Sequence, residues 1–261
     1  MRSLLQALAA RATLQQRVAI VVAHPDDETI AAGGSLHLMP DLLLVHVTDG
    51  APRRRPDAAN HGFDTPAAYA AAREAELRAA LSVTAVEPER VRLGVPDQDA
   101  SLHLCDLVAS LAPVLAQHGV QAVLTHAYEG GHPDHDATAF ATHLAARRVG
   151  IPVLEFPGYH AGPDGEMEVQ RFLPGPAETL VRLRPEEAAV KRAMFDCFAT
   201  QASVLRPFGA SVERFRPAPG YDFMAAPHAG PLNYENWGWP MTGRHWRELA
   251  AEAMRDFACA D

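Results

Sequence analysis

Two short runs hold most of the side chains in this sequence that can do chemistry: Ala23-His24-Pro25-Asp26-Asp27-Glu28, and a second stretch from Thr125 to His135 that ends in His132-Pro133-Asp134-His135. Imidazole nitrogen and carboxylate oxygen are donors that a borderline cation such as zinc accepts, and His24 with Asp27 on one tight loop supplies one of each. Asp26 is left as a carboxylate beside a ligand, suited to act as general base toward a metal-activated water. By itself this acidic run reads equally well as the cap of the next helix, where Asp is favourable. The second run shifts the balance. His132 and His135 lie three apart across a first helical turn opened by Pro133, so they can point to one side, and Gly130-Gly131 lets backbone approach closely. Two histidines and a carboxylate can then converge and leave an open coordination position, as catalytic rather than structural zinc sites do. The same donors suit non-haem iron(II), so zinc and Fe2+ both remain open.

The elements that must position these runs read as alternating strands and helices. Residues 18–23 and 42–47 are continuous apolar runs, the pattern of strands buried on both faces. Residues 67–81 are rich in helix formers with Glu and Arg pairs along one side, and a short strand at 91–95 follows. The 3–4 spacing of Leu104, Leu107, Val108, Leu111 and Leu115 predicts a half-buried helix over 102–117 that ends at Gly119. A strand at 122–125, a helix at 134–148 and a strand at 153–156 complete an α/β order. It predicts a Rossmann-like open, mainly parallel sheet flanked by helices, with chemistry at strand carboxyl ends. Residues 158–175 are Gly/Pro-rich, 179–183 read as an outer strand, and 186–201 as helical. Residues 203–243 read as an irregular, aromatic-rich segment covering a site or the core; Tyr234, Trp237 and Trp239 can stack on a sugar ring, form a lid that excludes water, or pack against the sheet, with packing favoured. Without a repeat or low-complexity tract, residues 1–261 are expected to form one α/β domain.

Composition narrows the function classes. With 23 Lys and Arg against 32 Asp and Glu, the net charge of −9 repels a polyphosphate backbone and excludes nucleic acid as an expected partner. The run Arg53-Arg54-Arg55 between two prolines reads as a solvated loop. Three scattered cysteines, Cys105, Cys197 and Cys259, give neither a disulfide framework nor a thiolate metal site, and fit a reducing, cytoplasmic setting. Residues 1–11 faintly imitate a signal peptide, but Gln6 and Arg11 interrupt the apolar stretch, and a short amphipathic helix is expected instead. No run is long enough for a membrane span. A homo-oligomer is left open.

Together, AHPDDE and HPDH resemble the PIG-L (LmbE-like) N-acetylglucosaminyl deacetylases. The resemblance extends to the VTDG turn at 47–50, the R-x-x-E-L pattern from Arg73 to Leu77, and Pro96-Asp97, while 213–243 is similar to a subset of bacterial members. It implies zinc ligands at His24, Asp27 and His135, a general base at Asp26, and oxyanion stabilisation by a protonated His132. It also places Arg73 and Asp97 near sugar hydroxyls. Taken from the residues alone, Arg73 reads equally as a helix-surface residue paired with glutamates, and Asp97 as a turn residue. Asp49 is a further expected partner for a ligand histidine. The implied reaction is hydrolysis of an N-acetyl group on an amino sugar, a small-molecule substrate, by one zinc per chain. An amidase on a thiol conjugate or a natural-product acyl group would use the same apparatus. An iron(II) oxidoreductase or a metal-dependent sugar-binding module are the readings from other classes.

Overall fold

The computed structural model describes residues 2–53 and 56–258, so Arg54, Arg55 and Cys259 lie outside the described residues. Strands β1 (Val18–Val22), β2 (Leu42–Thr48), β3 (Glu89–Val95), β4 (Ala122–His126) and β5 (Val153–Phe156) pair in parallel. β8 (Thr179–Arg182) and β9 (Val212–Pro217) extend the sheet antiparallel, in the order β3-β2-β1-β4-β5-β9-β8. β6 (Tyr159–Ala161) and β7 (Met167–Val169) form a separate hairpin. The helices are α1 (Arg2–Ala9), α2 (Asp27–Ala32), α3 (Asp57–Asn60), α4 (Pro66–Ser82), α5 (Leu104–Gln117), α6 (Pro133–Val149), α7 (Pro185–Asp196), α8 (Ala202–Leu205), α9 (Asn233–Asn236) and α10 (Gly243–Ala258).

Every residue of β1, β2 and β4 is buried, which is why their runs show no polar alternation. Successive side chains still point to opposite faces. Val18, Ile20 and Val22 join the cluster that includes Leu4, Leu77 and Met194 from α1, α4 and α7, whereas Ala19 and Val21 join the one that includes Leu111, Phe140 and Trp246 from α5, α6 and α10. No helix among the described residues is long and apolar enough to cross a membrane.

The expected α/β architecture is present, with two differences after residue 183. The helix expected over 186–201 ends at Asp196, because Phe198 leaves helical geometry (φ −91°, ψ 67°) and buries its ring completely. The segment at 203–243 is not wholly irregular: it contains α8, β9 and α9. β9 was hidden by its charges. Glu213 is buried against Lys191 Nζ at 3.0 Å, and Arg216 Nε donates to buried Glu155 at 2.6 Å, partners that no local pattern reveals. Lys191 Nζ also donates to Ile30 O (2.8 Å), and Glu213 accepts the Gly34 N–H (2.9 Å) and the Ser35 hydroxyl (2.5 Å), so this pair anchors the end of α2.

Candidate active site

From β1 the chain moves outward through β2 and β3, then returns to β4 on the other side of β1. The loops after β1 and β4 therefore diverge around the sheet's topological switch point, where open α/β sheets hold ligands. Both chemical runs sit there.

In the first loop, the His24 N–H donates to Asp27 Oδ2 at 2.7 Å, and Glu28 accepts the Asp26 N–H at 3.0 Å while facing His46 Nε2 at 3.1 Å. Asp26 adopts φ 139°, ψ −26°, a conformation that side chains rarely take and that costs on the order of 1–3 kcal/mol. Arg73, buried on α4, holds it: its guanidinium donates to Asp26 Oδ2 (3.1 Å), Pro25 O (2.7 Å) and Gly50 O (3.0 Å). Burial pushes the Asp26 carboxyl well up, with Arg73 opposing.

The second loop meets the first through Asp27. His24 Nδ1 lies 3.3 Å from Asp27 Oδ2, and His135 Nε2 lies 3.3 Å from Asp27 Oδ1. Donor atoms of His24, Asp27 and His135 fall within 4.8 Å of one another, as do those of His24, Asp97, His132 and Asp134. Hydrogen bonds distinguish the two groups. Asp134 accepts the N–H groups of Gln98 (2.6 Å) and Ala100 (3.1 Å) and faces His24 Nε2 at 3.3 Å, so it orients that ring from behind. His132 Nδ1 is occupied by the Asp134 N–H at 3.1 Å. His24 Nδ1, Asp27 and His135 Nε2 form one donor set able to hold a cation. His126 Nε2 approaches Asp27 Oδ2 to 3.4 Å, but it accepts the Ala23 N–H at 3.1 Å and is not a fourth donor.

The charges follow from this packing. Burial opposes ionisation of Asp27, but His135 and His126 outweigh it and hold the carboxyl well below its usual range. Burial also opposes a charge on His24, yet Asp97, Asp134 and Asp27 raise it overall. His126 is pushed down to about 4 by burial and by His135. His132 is lowered by burial and then by His24 and His135. Its Nδ1 accepts a backbone N–H as the cap of α6, an arrangement that suits a neutral ring with its proton on Nε2. The resemblance, by contrast, implies a protonated His132.

These residues border a cavity of about 340 Å³ that also reaches Tyr69, Tyr159, Trp237 and Trp239. Arg73 and Asp97 line it as well, with Asp97 3.2 Å from His24 Nε2 and held well below the usual carboxylate range chiefly by His24, against burial. Asp49 does not reach a histidine ligand; it pairs with Arg53 and accepts the Ala51 N–H, and Asp134 holds His24 instead. Nor do Trp237 and Trp239 simply pack: Trp237 is 43% exposed, and Trp239 stands edge-on to His132 at 4.9 Å. Tyr234 is fully buried, as expected of packing. Sequence reasoning passed over His126 and Asp134 as site residues, although each lies inside the run that it had singled out. Gly131 shows the expected close approach, since a Cβ there would sit 1.8 Å from Tyr159 O.

Residues 19–146 match the PIG-L family, described as GlcNAc-PI de-N-acetylase. Over these residues the chain is similar to that family. A probable N-acetyl-α-D-glucosaminyl L-malate deacetylase 2 of Bacillus cereus is 27% identical over 152 residues, covering 57% of this chain and 68% of that protein. An A40926 pseudoaglycone deacetylase structure superposes with a TM-score of 0.57 at 25% identity, over 78% of this chain and 97% of the other. A zinc-inhibited form of a teicoplanin deacetylase gives 0.61 at 18% identity, over 79% and 99%. A 4-carboxy-2-hydroxymuconate hydratase of Pseudomonas putida also shares the fold, with a TM-score of 0.51 at 20% identity, over 74% and 82%. The fold alone therefore does not specify a reaction, and the site must.

Proposed function

We propose that this protein is a metal-dependent hydrolase that removes the acetyl group from an N-acetylglucosamine-type amino sugar or its conjugate. The observation that carries the reading is the convergence of His24 Nδ1, Asp27 and His135 Nε2 in a cavity that Asp26 and His132 also line. The donor set fits a cation: two imidazole nitrogens and a carboxylate held below its usual range. Zinc held by these three residues would polarise the acetyl carbonyl and acidify water.

The protein's own groups supply the rest. Asp26 accepts the proton of the attacking water and returns it to the departing nitrogen, a double duty suited to a carboxyl whose pKa burial has raised. Arg73 fixes its direction. The Nε2–H of His132 donates to the oxygen of the tetrahedral intermediate, where charge is greater than in the bound amide. Tyr69, Trp237 and Trp239 give a sugar ring apolar faces to lie against. The products are acetate and a free amine.

To test this, protein stripped by chelation and reloaded with zinc or iron(II) is incubated with N-acetylglucosamine glycosides, and amine and acetate are quantified by mass spectrometry. Equal amounts of both, lost on chelation and restored by metal without oxygen uptake, are expected. No amine from any glycoside, or release untouched by chelation, would refute the proposal.

A further inference from the structure

Beside the cavity described above lies a second one of about 250 Å³, and the two share Pro52, Asp97, Gln98 and Trp239 as walls. Beyond Trp239 the lining turns apolar, with Leu102, Pro133, Pro240 and Met241. At ~30 Å³ for each water-sized volume, it holds a group of about eight heavy atoms. Leu102 is 40% exposed, a large apolar side chain facing this space rather than the core. Among the described residues the wall also carries Asp97, Asp99 and His245, the last 3.6 Å from Glu248.

Reading the first cavity as the amino-sugar site, we infer that the second receives the aglycone of the substrate, and that this aglycone is apolar. Continuity across Trp239 places it one residue's width from the sugar. Its lining rewards hydrocarbon, by about fourfold in affinity for each methylene removed from water. An apolar lining strips water from a charged malyl group without replacing it, so a malyl conjugate such as the Bacillus cereus relative's name specifies is a poor fit.

The test measures calorimetric affinity of the zinc-loaded full chain for methyl, propyl, butyl and hexyl N-acetylglucosaminides, both anomers, and for the malyl glycoside. Acetate release is followed in parallel. Affinity should rise about fourfold per carbon from propyl to hexyl for one anomer, with the malyl glycoside binding more weakly than the methyl. Leu102→Glu, at an exposed position, should abolish the rise while leaving methyl glycoside binding and turnover unchanged, and Met241→Gln should reduce it. Affinity independent of chain length, a rise that survives both substitutions, or preferred malyl binding would overturn the inference. Absence of acetate release with the chain-length rise intact would instead remove the deacetylase reading and leave the apolar subsite standing.

Discussion

The strand-end loops that carry the histidines and the stretch from Trp237 to Met241 face the same space but are built on opposite physical terms. In the loops, every candidate chemical group is buried and held by at least one other, so that Asp27 is approached by three histidines and Asp26 is clamped by Arg73. In the aromatic stretch the rings are partly exposed, with Trp237 5.1 Å from Trp239 and 5.8 Å from Tyr159, and Trp239 edge-on to His132. A network in low dielectric fixes geometry because losing one partner strands a charge, whereas exposed rings can change without that cost. On the proposed function, chemistry falls to the first region and substrate choice to the second.

Substitutions can break this division. The largest effect is expected for His135→Ala: metal content, measured by plasma emission, should fall from about one per chain to near zero, and activity with it. Asp26→Asn should retain the metal and lower kcat by about 10³-fold, the range of a lost general base. His132→Ala should also retain it and lower kcat by about 10²–10³-fold, as for a lost oxyanion donor. Equal metal loss in the His132 and His135 variants would collapse the distinction between ligand and donor.

The helix that presents both histidines offers a contrast of its own. Further along α6, burial pushes His143 down to about 4 from its ordinary 6.5. Above pH 6.5 the ring is neutral in both folded and unfolded chains. As pH falls from 6.5 to 4, the unfolded chain takes a proton that the folded one refuses, so stability declines by on the order of 3 kcal/mol. Chemical denaturation at pH 7 and pH 4 should show this loss shrinking in His143→Leu; an unchanged difference would mean the buried ring does not control it. The smallest effect is expected for Trp237→Ala, which should raise KM about fivefold at unchanged kcat, while a fall in kcat with KM fixed would draw the aromatic stretch into the chemistry.

Legibility differed between the regions for the same reason. VAIVVA and LLLVHV read as buried strands because burial on both faces leaves an uninterrupted apolar run, and both are strands with every residue buried. The two runs with His and Asp stood out because each motif is local, and their placement followed from the βα order. β9 was not legible, since Glu213 and Arg216 find their partners 22 and 61 residues away and a charged hexapeptide looks like loop. Trp237 and Trp239 were equally opaque, because an aromatic residue carries no mark of which side of it is filled.

By itself, the sequence determined the alternation of strands and helices, the residue types able to grip a cation, and their position after two apolar strands. The tertiary structure decided which ring nitrogens are already engaged: Nε2 of His24 faces Asp134, Nε2 of His126 accepts the Ala23 N–H, and Nδ1 of His132 accepts the Asp134 N–H. A ring nitrogen's role depends on what reaches it from a distant loop, and only the folding of β1 beside β4 brings those partners within hydrogen-bond range.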